Sequence, residues 1–578
     1  MRLQIRSKTE EEGNYMHHRS LLTLVIAAAL AAGVALADSH SDKINSGVPD
    51  ANPRVGHPAN VIAPGFALQK IVEGSDSLEN PSGVITNFGY LNDFPPQLIE
   101  RTKTEPDENT YVVLEQNPGG PTHGFDYGRH FLFQGHENAA DFAYVTRVNL
   151  DVTDPAHRIT LLTPVGTDGK THFGSIDGST WDPFTRTLFF TQERGTSGGV
   201  IQITALSFPA QVTTLDGILG KGGFEGIHPD NRGNLLIIED SGGTGVPVDP
   251  ANPASPKAAK NPNSFVYRFV PYDKHNVLVG GKLQALQVSI DGTPLRFVPV
   301  DATHPGGDVF SDAQLKLHTP GSSWPVRWIT VHDTGVLDPA NPQPAAFDAN
   351  AAAKTAGATP FKRPENAQFL PGSGFQTFFF DPTGDTNSDS GNQPALAARG
   401  AWGSIFRVDF RGDDEGERGD GDGDRDDRDD RGRDRRDDEG TISIFVLGTA
   451  EQSSFDNLAF TDTQTLLAAE DRGDGLHRQL NLLDSIWAYD VRRGDPHARR
   501  FVALGRDTAS EADAILLDAG TPGYQNEGDN EPTGLHISDG STSVEGLLGK
   551  PQNPVFSRWF FTQQHGKNTV YEIVANRR

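Results

Sequence analysis

Cysteine is absent from the 578 residues of this chain. Its absence excludes disulfide bonds, thiolate metal ligands and a cysteine nucleophile. Neither a Walker A motif nor an H-E-x-x-H motif is present, so the sequence lacks the usual signatures of a P-loop nucleotide site and of a zinc protease. After the N-terminal region, no stretch approaches the roughly 18 apolar residues of a membrane span. The sequence therefore predicts no membrane span once an export signal is removed.

Positive charge is scarce relative to negative charge. The chain has 50 Lys and Arg against 77 Asp and Glu, which gives a formal net charge of −27. A field of this sign repels nucleic acid and anionic membranes, so we expect neither as a partner. It attracts divalent cations, and an anionic substrate would have to be met by bound metal rather than by the bare surface. We expect a small-molecule substrate and a monomeric protein.

The N-terminus has the pattern of a cleaved export signal. A positively charged segment at residues 17–19 precedes an apolar run from Leu21 to Leu36, and Ala35-Leu-Ala37 supplies a small-residue cleavage site. We predict a signal peptide over residues 1–37, with Met16 as a candidate true start. No twin-arginine pair is present in this segment, so we expect export of the unfolded chain to the periplasm or the extracellular space.

Short apolar runs that end on a carboxylate recur along the chain. Glycine (63) and proline (39) are abundant, which is typical of many short strands joined by turns. The terminal acids of these runs are Glu115, Glu137, Glu193, Glu239-Asp240, Asp333 and Glu470-Asp471. A further run that ends at Gln564-His565 has the same shape without the acid. If such strands were stacked radially, their acids would point toward one place, and that place would be a metal site.

A second repeat places an acid upstream of several strands. It occurs at Asp177-Gly, Glu225-Gly, Glu365-Asn, Asp456-Asn and Glu531-Pro-Thr-Gly. Internal repetition of a four-stranded unit at roughly 45–50 residues is typical of a β-propeller, and the first interval of this series has that length. We therefore predict an all-β fold, a β-propeller of about six blades with long loop insertions.

The rest of the chain shows no linker long enough to divide it. We predict a single propeller domain over residues 65–578, preceded by an extended leader over residues 38–64. Residues 411–440 form a mixed-charge run with 15 acids and 8 arginines, which cannot bury a core and is predicted to be a disordered acidic loop, with weak calcium binding as an alternative. The alternating segments Ser404–Phe410 and Thr441–Leu447 flank this run and are predicted hairpin partners.

Glu225, Glu365 and Asp456 would meet at the mouth of the central channel of a propeller. The innermost strands line this channel, so residues that enter them lie close together although they are far apart in sequence. Closely spaced carboxylates in poorly hydrated surroundings cannot all ionise without a counter-cation. Oxygen ligands without cysteine favour Ca²⁺, Mg²⁺ or Mn²⁺, with Fe³⁺ as an alternative. Taken singly, each acid is equally explained as a turn residue or a surface charge.

Weaker signals accompany these acids. Asp385-Thr-Asn387-Ser-Asp389 has oxygen-bearing side chains at alternate positions, as a calcium loop does, or is a polar turn. Arg194 and Arg363 each adjoin a candidate acid, and would either clamp phosphate oxygens or balance the acids. Three histidines follow strand ends and are candidate metal ligands, proton donors or capping groups: His136, His332 and His565.

These motifs together resemble those of the PhoX-type alkaline phosphatase family. The resemblance rests on Gly178-Ser-Thr-Trp181 with Thr191-Gln-Glu-Arg194, Arg363-Pro-Glu365, Phe455-Asp-Asn-Leu458, Phe224-Glu-Gly226 and Tyr267-Arg-Phe-Val270. It implies a six-bladed propeller with carboxylate-bound calcium and, in well-known members, an iron pair. The metal ligands that it implies are Glu193, Glu225, Glu365 and Asp456. We add the strand-end acids Glu137 and Asp240 to the predicted ligands.

One position departs from the family pattern. The family's cysteine, an iron ligand, is replaced by Gln192, and a neutral amide is a poor substitute for a thiolate, so the sequence favours calcium over iron. We predict a secreted metal-dependent phosphatase-like hydrolase of phosphomonoesters or phosphodiesters, with Glu193, Arg194 and Arg363 as catalytic residues. Two alternatives stay open: a non-catalytic, calcium-stabilised propeller for binding or surface attachment, and an esterase or lactonase of the same architecture.

Overall fold

Six antiparallel blades form a closed ring in the computed structural model of the chain. The structure describes residues 44, 47–89, 104–138, 141–410, 438–492, 498–506, 531–544 and 557–576, and the blade count refers to these residues. The predicted all-β propeller of about six blades is confirmed. The predicted signal peptide and nearly all of the predicted acidic loop lie outside the described residues. Within them, no helix is both long and apolar enough to cross a membrane.

Two strands precede the first blade, β1 (Val61–Ile62) and β2 (Phe66–Val72). The remaining strands follow one another around the ring. Blade 1 contains β3 (Glu105–Val113), β4 (His130–Glu137), β5 (Tyr144–Asn149) and β6 (Ile159–Leu161). Blade 2 contains β7 (Ile176–Asp182), β8 (Thr187–Gln192), β9 (Val200–Thr204) and β10 (Val212–Thr214). Blade 3 contains β11 (Phe224–Pro229) and β12 (Leu235–Glu239), then, after the two-stranded ribbon β13 (Gly245–Val246) and β14 (Ala259–Lys260), β15 (Val266–Pro271) and β16 (Gly281–Ile290).

The second half of the ring begins with β17 (Thr293–Pro294), which pairs with β16, and β18 (Ser323–Asp333). Blade 4 contains β19 (Pro364–Phe369), β20 (Thr377–Pro382), β21 (Ser404–Phe410) and β22 (Glu439–Leu447). Blade 5 contains β23 (Phe455–Phe460), β24 (Thr465–Glu470), β25 (Ser485–Asp490) and β26 (Arg499–Ala503). Blade 6 contains β27 (Glu531–Ser538), β28 (Arg558–Gln564) and β29 (Thr569–Ala575). The described α-helices are short: α1 (Asp312–Leu317), α2 (Ala349–Ala356), α3 (Ser388–Gly391), α4 (Pro394–Ala397) and α5 (Gly473–Leu480).

The N-terminal strands close the ring. β2 pairs with β29, with Phe66 opposite Ala575, and so supplies the outermost strand of blade 6. Pairing of the two ends of a chain in one blade removes a free sheet edge from the ring. The described part of the predicted leader packs against blade 5, where β1 adds to β26 and Val48 N–H donates to the Arg500 carbonyl at 3.0 Å.

Blades 3 and 4 are joined into one sheet by β18. This strand pairs with β16 on one side and with β22 on the other. The predicted pairing of the segments that flank the acidic run is confirmed, because β21 pairs with β22 and Phe410 lies opposite Gly440. The interpretation of the run that ends at Asp333 as a strand directed at the channel mouth is wrong. An alternating apolar pattern shows that a segment is a strand, but it does not show which place in the sheet the strand takes.

The core is divided among the interfaces between blades. Each pair of neighbouring blades encloses one cluster of fully buried apolar side chains, as expected where twisted sheets pack face to face. Between blades 2 and 3, for example, Phe189 and Ile237 belong to one cluster, which α2 covers with Ala349 and Ala353. Because blades pack on both faces, the second strand of a blade carries a continuous apolar run, as Leu188–Phe190 and Leu235–Ile238 do.

Deletion of residues 413–436 should leave the fold and the metal content unchanged. The pairing of Phe410 with Gly440 leaves five residues to close the shortened hairpin, a length that such turns accept. Circular dichroism, thermal melting and metal analysis would test this expectation, and loss of folding would contradict it. Extending the deletion through Asp438 provides the control. That deletion should lower the melting temperature, because Asp438 forms an ion pair with the largely buried Arg268.

Candidate metal centre at the mouth of the propeller

The innermost strand of each of the six described blades breaks its pairing at a corresponding point. The register shifts fall between residues 106 and 109, 176 and 179, 224 and 227, 364 and 367, 455 and 458, and 533 and 536. At each point two residues oppose one, which is the arrangement of a β-bulge, and a bulge redirects a side chain. The first bulged residues are Asp107, Asp177, Glu225, Glu365, Asp456 and Gly534. In five of the six blades the redirected side chain is therefore a carboxylate.

The second strand of each blade returns to the same end of the channel. On this second strand, the residue at the mouth comes directly after the residue that forms the last pair before the bulge. In blade 2, for example, Ile176 pairs with Gln192, and the next residue, Glu193, lies at the mouth. The residues at this position are Glu137, Glu193, Asp240, Thr383, Asp471 and Gln563. We call the nine acids of the two sets the mouth acids. They include all six predicted metal ligands.

Two groups of mouth acids are close enough to share a cation. One ligand oxygen each from Asp107, Glu137 and Asp177 lie within 4.8 Å of one another. The same holds for Glu193, Glu225 and Asp240, in a second group. Glu365 lies beside the second group, and its charge acts on both Glu225 and Glu193. The charges of Asp107 and of Glu365 both act on Asp456, so Asp456 is close to both groups.

Close backbone packing holds the bulges in place. A Cβ atom on Gly178 would lie 2.0 Å from the carbonyl oxygen of Glu225, so only glycine permits this approach. The Thr191 hydroxyl donates to the same carbonyl at 2.5 Å. Deeper in the channel, Glu108 accepts from Ser179 N–H at 2.8 Å and also bonds to the Asn366 side chain, which links blades 1, 2 and 4. The acids are thus presented by a rigid, polar channel wall.

Burial makes the charged form of these acids costly. Burial raises the pKa of Asp107 to about 6 and that of Glu108 to about 8. Burial, followed by the charge of Asp240, raises the pKa of Glu365 to about 7. Burial, followed by the charge of the nearest acid, holds the pKa of four further mouth acids well above the usual range: Asp177, Glu193, Glu225 and Asp456. Ionisation of the whole set therefore requires a positive charge at the mouth.

Four carboxylate oxygens of the mouth acids lack any partner among the residues that the structure describes. They are Asp177 Oδ1, Glu225 Oε2, Asp240 Oδ1 and Asp456 Oδ2. These side chains are at most 6% exposed, so water does not replace the missing partners freely. Buried polar atoms are normally hydrogen-bonded, and an exception calls for a ligand or an ion. A set made only of carboxylate oxygens fits a hard divalent cation such as Ca²⁺.

Arg363 is the cation that lies within this cluster. Its Nε donates to Asp240 Oδ2 at 2.8 Å, and its Nη2 lies 2.7 Å from the same oxygen and 3.3 Å from Glu365 Oε1. Its Nη1 has no hydrogen bond to the described residues, which leaves one edge of the guanidinium for an anion. The backbone of Arg363 has a φ of +52°, an uncommon value outside glycine that is frequent at functional sites.

Arg194 is paired with an acid that is not among the mouth acids. Its side chain is exposed at 38%, and its Nη1 lies 2.6 Å from Asp141 Oδ1. Arg194 lies just after β8, at the start of a short 3-10 turn. The catalytic role predicted for Arg194 stays a prediction.

The other strand-end acids divide into two kinds. Glu115 is exposed at the far end of blade 1, because β3 runs away from the mouth, and its assignment to a common site is wrong. Glu239 and Glu470 are fully buried and serve the blade framework. Glu239 accepts from Phe265 N–H and the Tyr267 hydroxyl, and Glu470 accepts from backbone N–H groups and the Arg472 guanidinium. The mouth therefore receives Asp240 and Asp471, the second acid of each pair.

Most side chains of the weaker predicted sites make contacts within the fold instead of converging on a cation. In the predicted calcium loop, Asp385 accepts from the Lys362 ammonium at 3.0 Å, and Asn387 caps α3 through Asp389 N–H, so these side chains do not converge on a cation. His136 is bonded to Thr146 inside blade 1, and His332 stacks on Phe347. His565 lies at the mouth, 3.4 Å from Glu531.

Part of the chain matches the model of a known protein family. Residues 246–484 match the family model of alkaline phosphatase PhoX. The resemblance predicted from the sequence motifs is thereby confirmed. The matched segment contains Arg363, Glu365 and Asp456, while Glu193 and Glu225 precede it.

Among solved structures, the chain is similar to "Pseudomonas fluorescens PhoX in complex with vanadate, a transition state analogue", with 14% identity and a TM-score of 0.49. The similarity covers 91% of this chain and 97% of that chain. No curated protein matches the chain.

Gln192, the residue that departs from the family pattern in the sequence, is buried at the end of β8, directly before the mouth acid Glu193. Its Oε1 accepts from Gly174 N–H at 3.4 Å.

Asp107 is a mouth acid that was not among the residues predicted from the sequence. The signal for it is the segment from Glu105 to Asn109, in which an acid and an asparagine precede an apolar run, as they do at Asp456-Asn457. Glu531 begins the innermost strand of blade 6, as its place in the sequence repeat predicts. The bulge of this blade lies three residues later, at Gly534, so Glu531 does not take the bulge position that the other acids of the repeat hold.

Proposed function

We propose that this chain is a metal-dependent hydrolase of small phosphate esters, with calcium held by the mouth acids. The observation that carries the proposal is the convergence of unpartnered, buried carboxylate oxygens beside Arg363. The family match supports phosphate chemistry, because it includes the Arg363-Pro-Glu365 segment within a model named for alkaline phosphatase. The N-terminal export pattern supports action in the periplasm or outside the cell.

The residues that would hold the metal are the two close groups of mouth acids, with Glu365 and Asp456 at their edges. A cation bound there would neutralise the phosphate and polarise the ester. Arg363 would orient the phosphate through its free Nη1, because Asp240 and Glu365 hold the rest of the guanidinium in one direction. Glu193, the one acid among the predicted catalytic residues, is close enough to Asp240, Glu137 and Arg363 for their charges to act on it.

Gln192 supports a second candidate, a calcium-stabilised propeller that binds a ligand without turning it over. Loss of a thiolate from the donor set removes one ligand of a redox metal but leaves the carboxylates that hold calcium. The two candidates differ in turnover and agree in metal content, so one experiment separates them.

That experiment is metal analysis of the purified protein together with assays on p-nitrophenyl phosphate and bis-p-nitrophenyl phosphate. We expect bound calcium, turnover that EDTA abolishes, and recovery when calcium is restored. If the protein contains calcium but shows no turnover with any added metal, the hydrolase proposal is excluded and the non-catalytic binding protein is the function that remains. Iron in stoichiometric amount would contradict the assignment of calcium alone.

A further inference from the structure

A lysine that belongs to no predicted motif lies close to the mouth. Lys260 ends the ribbon formed by β13 and β14, where it pairs with Gly245. The ribbon is inserted after β12, directly beyond the mouth residue Asp240. Lys260 is therefore carried by an insertion that starts at the metal site, and its side chain is half-buried.

Asp385 fixes the backbone of Lys260 to the mouth. Asp385 Oδ1 accepts from Lys260 N–H at 3.0 Å and from the Lys362 ammonium at 3.0 Å. The Lys362 and Asp385 side chains are almost completely buried, so their charges balance each other within one ion pair. Lys362 immediately precedes Arg363, and this junction brings Lys260 near the guanidinium.

The ammonium of Lys260 has no such ion pair. Its Nζ hydrogen-bonds the Thr386 hydroxyl at 3.1 Å, a neutral partner, and it forms no ion pair with the residues that the structure describes. Burial, followed by the positive charge of Arg363, lowers the pKa of Lys260 to about 8, while Asp240, Asp385 and Glu365 act in the opposite direction. Thr386 has a φ of +47°, which is unusual for a β-branched residue and is typical of functional sites.

We propose that Lys260 is a second anion-binding residue of the mouth, which acts beside Arg363 and makes the site prefer phosphomonoesters to phosphodiesters. This inference rests on the proposed function and specifies its substrate class. Asp240 and Glu365 form ion pairs with Arg363, whereas Lys260 forms none with the described residues, so its ammonium adds positive charge for an incoming ligand beside the guanidinium. A monoester phosphate carries close to two negative charges near neutral pH and a diester carries one. This ammonium therefore attracts the monoester more strongly.

The test compares Lys260→Met with Lys260→Arg and with Lys257→Met in calcium-loaded protein. Lys257 is exposed on the same insertion and serves as the matched control. For Lys260→Met we expect KM for p-nitrophenyl phosphate to rise about tenfold and KM for the bis-ester to rise about threefold or less. We expect kcat to change little in both cases. Lys260→Arg should retain most of the monoester affinity, and Lys257→Met should match the wild type.

A binding measurement makes the result independent of turnover. Isothermal titration with inorganic phosphate and with dimethyl phosphate should show the same preference, and Lys260→Met should weaken phosphate binding about tenfold. If the wild type prefers phosphate to dimethyl phosphate but hydrolyses neither ester, the proposed hydrolase activity is wrong and the role of Lys260 in anion binding is supported. Equal affinities in Lys260→Met and wild type, or no phosphate binding by the folded wild type, would overturn the role of Lys260. Thermal melting confirms that each variant is folded.

Discussion

Metal-free protein should lose stability as the pH rises from 6.5 to 8, and calcium should remove most of this loss. Burial holds the pKa of Glu365 at about 7 and that of Glu108 at about 8. It also holds the pKa of Asp177 and Glu225 well above the usual range. In the unfolded chain, all of these groups have released their protons by pH 6.5. The folded state therefore binds more protons than the unfolded state across this range.

The direction of the effect follows from proton linkage. When the folded state binds more protons, the free energy of unfolding falls as the pH rises. The stability is fully present below the unfolded pKa near 4, and it is lost as the pH passes the raised folded pKa. Each carboxyl that stays protonated in the fold costs about 1.4 kcal/mol per pH unit, so two or three of them cost about 5 kcal/mol over this range. That loss is comparable to the whole stability of many domains.

Buried histidines do not obscure this range. Burial lowers the pKa of His228 and His318 to about 4 and that of His536 to about 3. Their contribution to stability is present above the unfolded histidine pKa of about 6.5 and is lost as the pH falls toward the folded value. They act on the acidic side, and the mouth acids act between pH 6.5 and 8.

Urea unfolding at several pH values, in EDTA and in excess calcium, measures the effect. Glu239 contributes to the same trend with a pKa raised to about 7 by burial, but it lies in the blade framework. The contribution of the mouth is therefore the difference between the two curves. Glu365→Gln should flatten the curve in EDTA, and the exposed control Glu115→Gln should not. Parallel curves in EDTA and calcium would contradict the placement of a cation at the mouth.

The parts of the site that repeat locally could be predicted from the sequence. Glu225-Gly226 and Asp456-Asn457 each combine an acid with a small or amide residue before an apolar strand, and this is the local requirement of a bulge that turns the acid inward. The repetition of that unit also indicated the propeller. Predictions of this kind depend on neighbours in sequence, which the sequence displays directly.

The parts that depend on the place of a strand in the sheet could not be predicted. Asp333 ends an apolar strand as Asp240 nearly does, but its strand joins two blades instead of lining a channel. Arg194 follows Glu193 in sequence, and its ion pair with Asp141 joins residues that lie 53 positions apart, which local sequence does not display. Lys260 reaches the mouth through an insertion whose path is set by Asp385, 125 residues later.

Neutral replacement of single mouth acids should reduce metal binding and raise the stability of the metal-free protein. Glu225→Gln and Asp456→Asn are the informative variants, because each side chain has an oxygen without a partner among the described residues. The charges of Glu365 and of Glu531, respectively, raise the pKa of these two acids after burial has done so. Removing one charge relieves that repulsion and also removes one oxygen ligand.

Two measurements on the same variants distinguish a metal ligand from a structural residue. We expect calcium content to fall well below that of the wild type and phosphatase kcat to fall by about a hundredfold or more, as the loss of metal-based charge stabilisation worth several kcal/mol implies. In EDTA at pH 8, the same variants should unfold at higher urea concentration than the wild type. Glu239→Gln is the matched control, because Glu239 holds backbone and tyrosine donors instead of facing the mouth. This control should lose stability in EDTA, because an amide keeps one acceptor oxygen. Glu239 uses one carboxylate oxygen for Phe265 and Tyr267 and the other for Asn350 and Ser241.

The mouth-acid variants and the Glu239→Gln control should change in stability in opposite directions, because mouth acids bind a cation and Glu239 holds the framework. A residue kept for the framework stabilises the metal-free fold, whereas a ligand destabilises it until the cation arrives. If Glu225→Gln and Asp456→Asn behave like Glu239→Gln and keep their calcium, the acids are framework residues and the metal lies elsewhere. If they gain stability without metal and lose activity with it, the propeller holds its acids together at the expense of its own stability, and the function of the mouth is to bind a cation.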